Sequence, residues 1–363
     1  MSGLSDRGRA LLSGPMPEYL KAHFERMPNA WTPENPDGYL GLCVAENARV
    51  WDLFEERVCA PRAVPSRRFG YDNMRGCESF RETLAGFLSE RLAHRNVAPE
   101  NVATLAGAGS ILEVLGYALG DPGDSILVPT PSYAGFWMDM ELRDELRLVP
   151  VAGVAENGFR VGPEDYERAL THASSPVRAL LLTNPDNPRG TVMSESELRA
   201  ILEWAESHDL HVILDEVYAF SVFGSRPFVS GLSLKPQLGP SVHVVWAFSK
   251  DFAASGLRCG VLVSENEELL AAVDGLAYWS AVSGDTQFLL DRLLRDTGWL
   301  DHYLTEMPRR LRASFEQVSA TLDALRIPYQ APEAGFFVLA DFRAWAHLGP
   351  DGLWQHLLNH GNL

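Results

Sequence analysis

The chain has 363 residues, of which 46% are hydrophobic, so its length allows two domains of ordinary size with a large core. Its charged residues sum to −17, which argues against nucleic acid or an anionic membrane as a partner and weakly favours a cationic small molecule. The four cysteines lie far apart without a CxxC pair, so neither a zinc site nor a disulfide framework is predicted. No apolar run reaches the length of a signal-peptide core or a membrane span. We therefore expect a soluble, cytoplasmic protein with reduced thiols.

The first part of the chain changes from an arm to alternating strands and helices. Several prolines precede the stretch 38–42, so residues 1–45 are predicted to form an arm followed by a short strand. Apolar side chains on one helical face predict a helix from Glu78 onward. The next predicted elements, in chain order, are a strand at 102–106, a helix at 111–119, a turn at 121–124 and a strand at 126–128.

The middle of the chain repeats this alternation. Ser194 and Glu197 form a capping box that predicts the start of a helix. The predicted strands are 179–182, 212–214, 244–248 and 261–263. Short apolar strands alternating with amphipathic helices predict an α/β fold with a mainly parallel sheet covered on both faces. Ligands bind such sheets at the carboxyl ends of the strands.

After about residue 280 the pattern changes. A long helix is predicted over about 300–325, followed by a strand at 335–340 and a further helix. This change predicts a second, smaller domain at the C-terminal end of the sequence.

Two cations follow the apolar run that ends at Phe248. Lys250 lies at the mouth of a predicted buried strand, where a desolvated amine with a lowered pKa is suited to form a Schiff base. Arg258, eight residues later, is a suitable fixed cation for a phosphate. Together they suggest a carbonyl cofactor that carries phosphate, namely pyridoxal 5′-phosphate (PLP). The alternative is a solvated loop with two unrelated cations.

A carboxylate ends the predicted strand at 212–214. PLP chemistry needs such a group beside the pyridine nitrogen, so Asp215 is a candidate for that role. Tyr218, three residues later, is within reach of the phenolic oxygen of the same ring. An ordinary buried carboxylate bonded to loop amides is the alternative interpretation of Asp215.

Three weaker signals follow other predicted strands. Asn187 lies in the proline-braced loop at 184–190, where an amide could face the same phenolic oxygen or where the loop is simply a turn. The glycine-rich opening of the helix after 102–106 is a candidate anion site because of its free amides and dipole. Tyr133 could stack on a flat ring or pack in the core.

In this order, the stretches resemble the fold-type I, class I/II aminotransferase superfamily of PLP enzymes, and within it the 1-aminocyclopropane-1-carboxylate synthase branch. The resemblance runs from about residue 15 to the end of the sequence. It is carried by Gly41-Leu42-Cys43-Val44-Ala45-Glu46-Asn47, by 121–136, by Asp215-Glu216-Val217-Tyr218 with Val222-Phe223 and Phe228-Val229-Ser230, and by Ser249-Lys250-Asp251.

The resemblance implies a fold and a set of roles. The fold is a mainly parallel seven-stranded sheet between helices with a smaller α+β domain. Residues 1–45 would form an arm and part of the small domain, 46–280 the large PLP-binding domain, and 281–363 the rest of the small domain. The implied cofactor residues are Lys250 as Schiff-base lysine, Ser249 beside it, Asp215 at the pyridine nitrogen, Asn187 and Tyr218 at the phenolic oxygen, Arg258, Ala108, Gly109 and Ser110 at the phosphate, and Tyr133 on the ring.

Further implied roles concern the substrate and a second subunit. Tyr71 would reach the phosphate of the neighbouring subunit, which implies a homodimer with shared sites. Glu46 would lie near the substrate, where its charge favours a cation, and Asn187 and Tyr71 would complete that subsite. No metal is expected.

The sequence departs from the family pattern at several points. Ala247 stands where the family usually has a phosphate-binding serine, and Met138 stands where the synthase branch has an arginine. Tyr71 has the spacing of general aminotransferases. The resemblance also implies a final strand with an arginine that clamps the substrate α-carboxylate, so we expect either a chain that continues beyond Leu363 or a carboxylate held otherwise.

These observations predict an enzyme that acts on S-adenosylmethionine by removing the Cα proton and releasing methylthioadenosine from Cγ, by cyclopropane formation or by a related γ-elimination or γ-replacement. An ordinary amino acid aminotransferase is the first alternative. A non-catalytic PLP-binding module is a remote one.

Overall fold

The computed structural model describes residues 3–12, 16–349 and 351–363, so parts of the predicted arm at 1–2 and 13–15 lie outside the described residues. The chain divides into two compact units. The larger comprises 46–324 and 329–339, and the smaller comprises the described residues up to 45 together with 325–328 and 340–363. This division places 281–324 in the larger unit, whereas the domain prediction assigned them to the small domain. The physical reason is that Leu290 and Leu300 pack in the main hydrophobic core.

Within the described residues, seven strands form one sheet in the order β1-β7-β6-β5-β4-β2-β3. The strands are β1 Val102–Leu105, β2 Ser125–Thr130, β3 Arg147–Ala152, β4 Val177–Thr183, β5 His211–Asp215, β6 Val242–Ala247 and β7 Gly260–Ser264. Strand β7 pairs antiparallel with both β1 and β6, and the other pairs are parallel. The predicted mainly parallel seven-stranded sheet is confirmed.

Both faces of this sheet are buried because successive residues of each strand enter different cores. In β5, Val212 and Leu214 pack in one cluster and Ile213 in the other. In β6, Trp246 and Val245 divide in the same way. Strands covered on both sides therefore appear in the sequence as continuous apolar runs, which is typical of parallel sheets.

Helices cover both faces. In the described ranges the α-helices are α1 Asp6–Leu12, α2 Glu18–Arg26, α3 Trp51–Val58, α4 Glu78–Leu88, α5 Ala108–Leu119, α6 Gly135–Glu141, α7 Pro163–His172, α8 Glu195–Ser207, α9 Phe248–Asp251, α10 Glu267–Leu276, α11 Gly284–Arg295, α12 Thr297–Ala324 and α13 Gly352–His356. The predicted capping box opens α8, since Ser194 Oγ accepts a hydrogen bond from Glu197 N at 3.2 Å and Glu197 Oε2 accepts one from Ser194 N at 2.8 Å. The long helix predicted over about 300–325 is present as α12, Thr297–Ala324.

Two predicted strands are wrong or shortened. The stretch 38–42 forms one isolated bridge between Ala30 and Tyr39 instead of a strand. At 335–340, strand β9 covers Leu339–Ala340 alone and pairs with β8, Tyr329–Gln330. The backbone before β9 bonds to loops instead, because Glu333 N donates to Gly190 O at 2.7 Å and Gly335 N donates to Ser221 O at 3.0 Å.

The smaller unit brings the ends of the described chain together. Leu40 N donates a hydrogen bond to Asn362 O at 2.8 Å, and His23 Nδ1 lies 3.2 Å from Tyr39 Oη. Among the helices of the described ranges, none is long and apolar enough to cross a membrane.

Candidate active site

The sheet topology brings the predicted site residues to one edge. Strands β1, β2, β4, β5 and β6 run in the same direction, so their carboxyl ends lie along the same edge of the sheet. Ser110, Tyr133, Asn187, Asp215 and Lys250 each lie at or after one of these ends. Because β7 runs the opposite way, the loop that precedes it lies at the same edge. Residues that are far apart in the sequence therefore lie along the same edge of the sheet.

Lys250 lies in the short helix α9, which begins immediately after β6. Burial lowers the pKa of its amine, and the Arg258 guanidinium lowers it further. Glu46 and Asp215 act in the opposite direction and raise this pKa. The balance is a lysine that loses its proton more readily than an exposed one, as a nucleophilic amine must. Ser249 is half-buried in the same turn.

Asp215 ends β5 and is 5% exposed. In the described part of the chain, its carboxylate accepts a single hydrogen bond, from Val217 N at 3.3 Å. The pKa of this carboxyl is raised to about 7, mainly by burial and also by the nearby carboxylate of Asp139, while Val217 N and Lys250 oppose the rise. A buried carboxyl with so little compensation fits a cationic hydrogen-bond donor.

The Tyr218 hydroxyl and the Asn187 amide face each other beyond the same edge. Asn187 Nδ2 lies 3.5 Å from Tyr218 Oη, and burial raises the pKa of the phenol. Phe336 and Phe337 contact the Tyr218 ring edge-on, with ring centroids 5.4 and 5.1 Å away. Two donors are thus held together in an apolar wall, an arrangement suited to a phenolate oxygen.

The opening of α5 forms a cradle beside Arg258. Gly107 precedes the helix with φ of 99°, a conformation that favours glycine, and a Cβ atom there would lie 2.5 Å from Arg258 Nη2. Arg258 Nη2 donates to Ala106 O at 3.1 Å. Ala108, Gly109 and Ser110 form the first turn of this 12-residue helix, whose free amides and dipole favour an anion.

Ala247 ends β6 and packs in a small apolar cluster with Val217 and Tyr218, against which Ala108 also packs. A serine at this position would bring a hydroxyl toward the same helix opening. Ala247 therefore gives the cradle apolar contacts at the position where the resemblance implies a serine.

The remaining predicted residues are more exposed. Tyr133 is 48% exposed, and its ring contacts Phe136 edge-on with centroids 5.3 Å apart. Glu46 is exposed and accepts a hydrogen bond from Ser255 Oγ at 3.2 Å. Tyr71 is 97% exposed and lines a cavity of about 390 Å³ together with Tyr278. The structure therefore brings Glu46 to the lysine loop and presents Tyr71 to the outside of this protomer.

These features fit PLP on their own chemistry. A desolvated lysine is suited to the aldehyde, a buried and poorly compensated carboxyl to a pyridinium, and facing hydroxyl and amide donors to a phenolic oxygen. A helix opening where Gly107 leaves no room for a side chain, beside a guanidinium, is suited to a phosphate. In the described ranges no cluster of three or more His, Cys, Asp or Glu side chains is arranged to hold a metal ion.

The family profile described as "Aminotransferase class I and II" matches residues 46–363. The chain belongs to this family. Family members use PLP, so the predicted cofactor is confirmed. Lys250 and the residues around it all fall inside the matched range, and their individual roles are taken up as proposals below.

Curated relatives include the bovine 1-aminocyclopropane-1-carboxylate synthase-like protein 1, 38% identical over 327 residues that cover 86% of this chain and 65% of the relative. The rice 1-aminocyclopropane-1-carboxylate synthase 5 is 33% identical, with coverage of 91% and 67%. The mouse "probable inactive" synthase-like protein 2 is 36% identical, with coverage of 86% and 56%. The chain thus spans little more than half to about two thirds of these relatives.

Solved structures show the same fold. The Thermus thermophilus aspartate aminotransferase with maleate superposes with a TM-score of 0.78 at 21% identity, covering 95% of this chain and 86% of that one. The aromatic aminotransferase of Pyrococcus horikoshii gives 0.76 at 19% identity, with coverage of 93% and 88%. The predicted aminotransferase fold type is confirmed.

Sequence reasoning missed two parts of the site. Asp139 lies on α6, and burial raises its pKa to about 6. Its Oδ1 would lie 3.0 Å from a Cβ atom at Gly109, so it borders the helix opening as well as Asp215. Phe336 and Phe337 fall in the segment interpreted as a strand. Asp139 could have been identified as an acidic residue on an otherwise apolar helix face. No feature of the sequence identifies Phe336 and Phe337 as part of the site.

Proposed function

We propose that this protein is a PLP-dependent enzyme that acts on S-adenosylmethionine, removing the Cα proton and releasing methylthioadenosine from Cγ. The observation that carries the proposal is the half-buried Lys250, whose amine has a lowered pKa and lies in the field of Asp215, Arg258 and the acidic Glu46. The similarity to synthases and synthase-like proteins supports the choice of substrate.

When bound, PLP supplies an electron-accepting ring system conjugated to the substrate Cα. The Lys250 amine, in its neutral form, takes the proton from Cα. The Asp215 carboxylate would face the pyridine nitrogen and hold a proton there, because a pyridinium would supply the charged partner that this buried carboxyl lacks. Asn187 Nδ2 and Tyr218 Oη would donate to the phenolic oxygen, and Arg258 with the first turn of α5 would hold the phosphate.

The bond changes in the substrate balance without a further acid. The Cα–H bond breaks and its electron pair stays on the substrate, while the proton goes to Lys250. The Cγ–S bond breaks with its electron pair moving to the positive sulfur, which leaves as a neutral thioether. The substrate pair then closes on Cγ to give the cyclopropane. In the alternative γ-elimination a Cβ–H bond also breaks, and its electron pair forms the Cβ–Cγ double bond as the thioether leaves. In a γ-replacement a nucleophile then adds at Cγ.

Glu46 supports a cationic substrate. Its carboxylate is positioned by the Ser255 hydroxyl at 3.2 Å and acts electrostatically on Lys250. A sulfonium near this carboxylate is stabilised, while a neutral thioether is not.

An ordinary amino acid aminotransferase is the second candidate. Two features of the chain favour it: Tyr71 stands at the general aminotransferase spacing, and Met138 replaces the arginine of the synthase branch. In that reaction Lys250 returns the proton to the cofactor C4′ carbon. A non-catalytic PLP-binding protein is the third, because two of the curated relatives carry the name "probable inactive".

We further propose a homodimer in which Tyr71 of each protomer reaches the other protomer's phosphate. The supporting observation is a group of strongly exposed aromatic side chains on the larger unit: Phe69, Tyr71, Tyr278 and Trp279, which are 74%, 97%, 64% and 78% exposed. Apolar surface of this extent is typical of an interface. Light scattering after gel filtration tests the dimer, and Trp279→Glu should yield monomers that capture PLP poorly.

The proposed compartment is the cytoplasm. All four cysteines, within the described residues, are free thiols, with Cys43 and Cys59 exposed. Exposed free thiols fit a reducing environment. Labelling of the protein as isolated with a thiol reagent, followed by peptide mass spectrometry, should modify both exposed cysteines.

Mass spectrometry of products tests the reaction. The purified protein loaded with PLP is mixed with S-adenosylmethionine, and in a matched reaction with S-adenosylhomocysteine, which lacks the positive sulfur. We expect methylthioadenosine from the first mixture, and no 5′-thioadenosine, the equivalent leaving group, from the second. Formation of a 2-oxo acid from amino acids, without methylthioadenosine, would instead establish the aminotransferase.

A further inference from the structure

Asp251 follows the candidate lysine and is completely buried. Its carboxylate accepts three hydrogen bonds: Oδ1 from Ser221 Oγ at 2.5 Å, and Oδ2 from Phe220 N at 3.1 Å and from Trp246 Nε1 at 2.9 Å. Its backbone carbonyl accepts a fourth, from Tyr303 Oη at 3.1 Å.

The donors come from three separate elements. Trp246 belongs to β6, directly before the lysine turn. Phe220 and Ser221 lie in the loop that carries Tyr218 and follows Asp215. Tyr303 belongs to α12. The side chain and backbone carbonyl of Asp251 therefore connect the turn of Lys250 to the loop of Tyr218 and to α12.

The surroundings make these bonds strong. The Trp246 indole lies among aromatic rings, with centroid distances of 4.8 Å to Phe248 and 5.9 Å to Phe252, and Phe252 stacks on Tyr303 at 5.1 Å. In such a low-dielectric environment a hydrogen bond to a carboxylate is strong, and an unmatched carboxylate is costly. Burial raises the Asp251 pKa to about 7 even though the donors oppose the rise.

We propose that Asp251 is a positioning residue for the active site, holding the Lys250 turn at a fixed distance from the loop that carries Tyr218. The inference rests on the proposed role of Lys250. Asp251 would act through its hydrogen bonds to the two loops, because it touches neither the expected substrate nor the reacting atoms. Loss of the carboxylate frees the turn from the loop and moves the amine away from its productive position.

The test compares Asp251→Ala and Asp251→Asn. Alanine removes all three side-chain bonds. Asparagine keeps an oxygen for the donors at Oδ2, and its amide can donate to Ser221 Oγ because a hydroxyl also accepts. A positioning role predicts damage from alanine and rescue by asparagine. The matched control is Asp291→Ala, since Asp291 is a buried carboxylate on α11 that bonds Thr83 Oγ1 at 2.6 Å, away from both loops.

The first measurement is the rate at which each cofactor-free protein captures added PLP on Lys250, read as visible absorbance and as peptide mass after borohydride reduction. We expect Asp251→Ala to be slower by about 10- to 100-fold, the scale of an ångström-sized misplacement of a reacting group. Asp251→Asn should stay within about threefold of the parent, which the preserved hydrogen bonds allow. Asp291→Ala should capture PLP at the parent rate.

The second measurement is amide hydrogen exchange of 248–252 in the cofactor-free proteins, which should become faster in Asp251→Ala alone. A folded Asp251→Ala protein with parent capture rate and parent exchange would overturn the inference. If that variant does not fold, Ser221→Ala removes one donor and should slow capture severalfold, and an unchanged rate would equally overturn it. Absence of methylthioadenosine from a parent that captures PLP on Lys250 would contradict the proposed reaction alone.

Discussion

The buried polar residues at the two ends of β5 and β6 differ in how far hydrogen bonds compensate their loss of contact with water. At the amino end, His211 Nδ1 lies 3.0 Å from His243 Nε2, and His243 Nδ1 lies 2.9 Å from Ser264 Oγ. At the carboxyl end, the Asp215 carboxylate is removed from water with far less direct compensation, a hydrogen bond from Val217 N at 3.3 Å.

This difference distinguishes polar groups that stabilise the fold from polar groups that are available to bind a ligand. Burial lowers the pKa of His243 to about 3, so the pair is uncharged and satisfies itself by hydrogen bonding. At its other end the same sheet buries the Asp215 carboxyl with little compensation, which costs stability. Such groups mark the positions where a ligand completes the hydrogen bonding.

Lys250→Ala should have the largest effect. In the proposed mechanism the amine both attaches PLP covalently and moves the Cα proton, so its loss should lower turnover by at least about 1,000-fold. Product formation and visible absorbance measure the change. Lys235→Ala is the control, because Lys235 forms an exposed ion pair with Glu206 at 2.7 Å. Equal losses in both variants would refute the assignment.

Asp215→Asn should change stability in a pH-dependent way. Because burial raises the carboxyl pKa to about 7 from an ordinary value near 4, its contribution to stability is complete below about pH 4 and is lost as the pH rises through 7. The cofactor-free variant should therefore be more stable than the parent at pH 8, by up to about 4 kcal/mol, and equal to it at low pH. Denaturant unfolding at a series of pH values measures this difference.

Asp124→Asn is the control of opposite sign. A hydrogen bond from Arg178 lowers the pKa of Asp124, so this carboxylate stabilises the fold above its ordinary pKa and loses that effect as the pH falls. We expect the variant to be less stable than the parent at pH 8. An Asp215→Asn protein that behaves in the same way would show that Asp215 is a compensated structural carboxylate.

Arg258→Ala should weaken PLP binding. A charge-assisted hydrogen bond to phosphate contributes about 1.5–3 kcal/mol, which corresponds to roughly 10- to 100-fold in affinity. Titration of the cofactor-free protein with PLP measures it. Arg309→Ala, which removes a cation paired with Glu306 on α12, should leave the affinity unchanged.

His243→Asn should have the smallest effect at the site. The substitution breaks the bond to His211 and costs about 1–3 kcal/mol of unfolding free energy. PLP capture by the folded protein should stay within about twofold, because no group at the carboxyl ends is altered. Loss of capture in a folded variant would mean that the two strand ends are coupled.

The sequence allowed prediction of those site residues that end an apolar run. Asp215 and Lys250 interrupt continuous hydrophobic stretches, and the alternation of such stretches with amphipathic helices is sufficient to predict a parallel sheet. Their position at one edge then follows from strand direction. Ser194 and Glu197 gave the start of α8 because a capping box is a local signal.

Residues whose role depends on tertiary approach could not be predicted. Asp139 reaches the site only because α6 packs across the opening of α5. The segment ending at Ala340 has a strand-like apolar pattern, yet most of it folds against loops, since its backbone donors find partners at Gly190 and Ser221. The connection made by Asp251 is equally invisible in sequence, because its donors are 5 to 52 residues distant.

The most direct test of the site is to map the attachment of PLP. The sequence contains three lysines, Lys21, Lys235 and Lys250, so borohydride reduction of the PLP-loaded protein followed by peptide mass spectrometry gives an unambiguous answer. We predict one phosphopyridoxyl group per chain, on the peptide that contains Lys250. Modification of Lys21 or Lys235 instead, or no modification, would contradict the account.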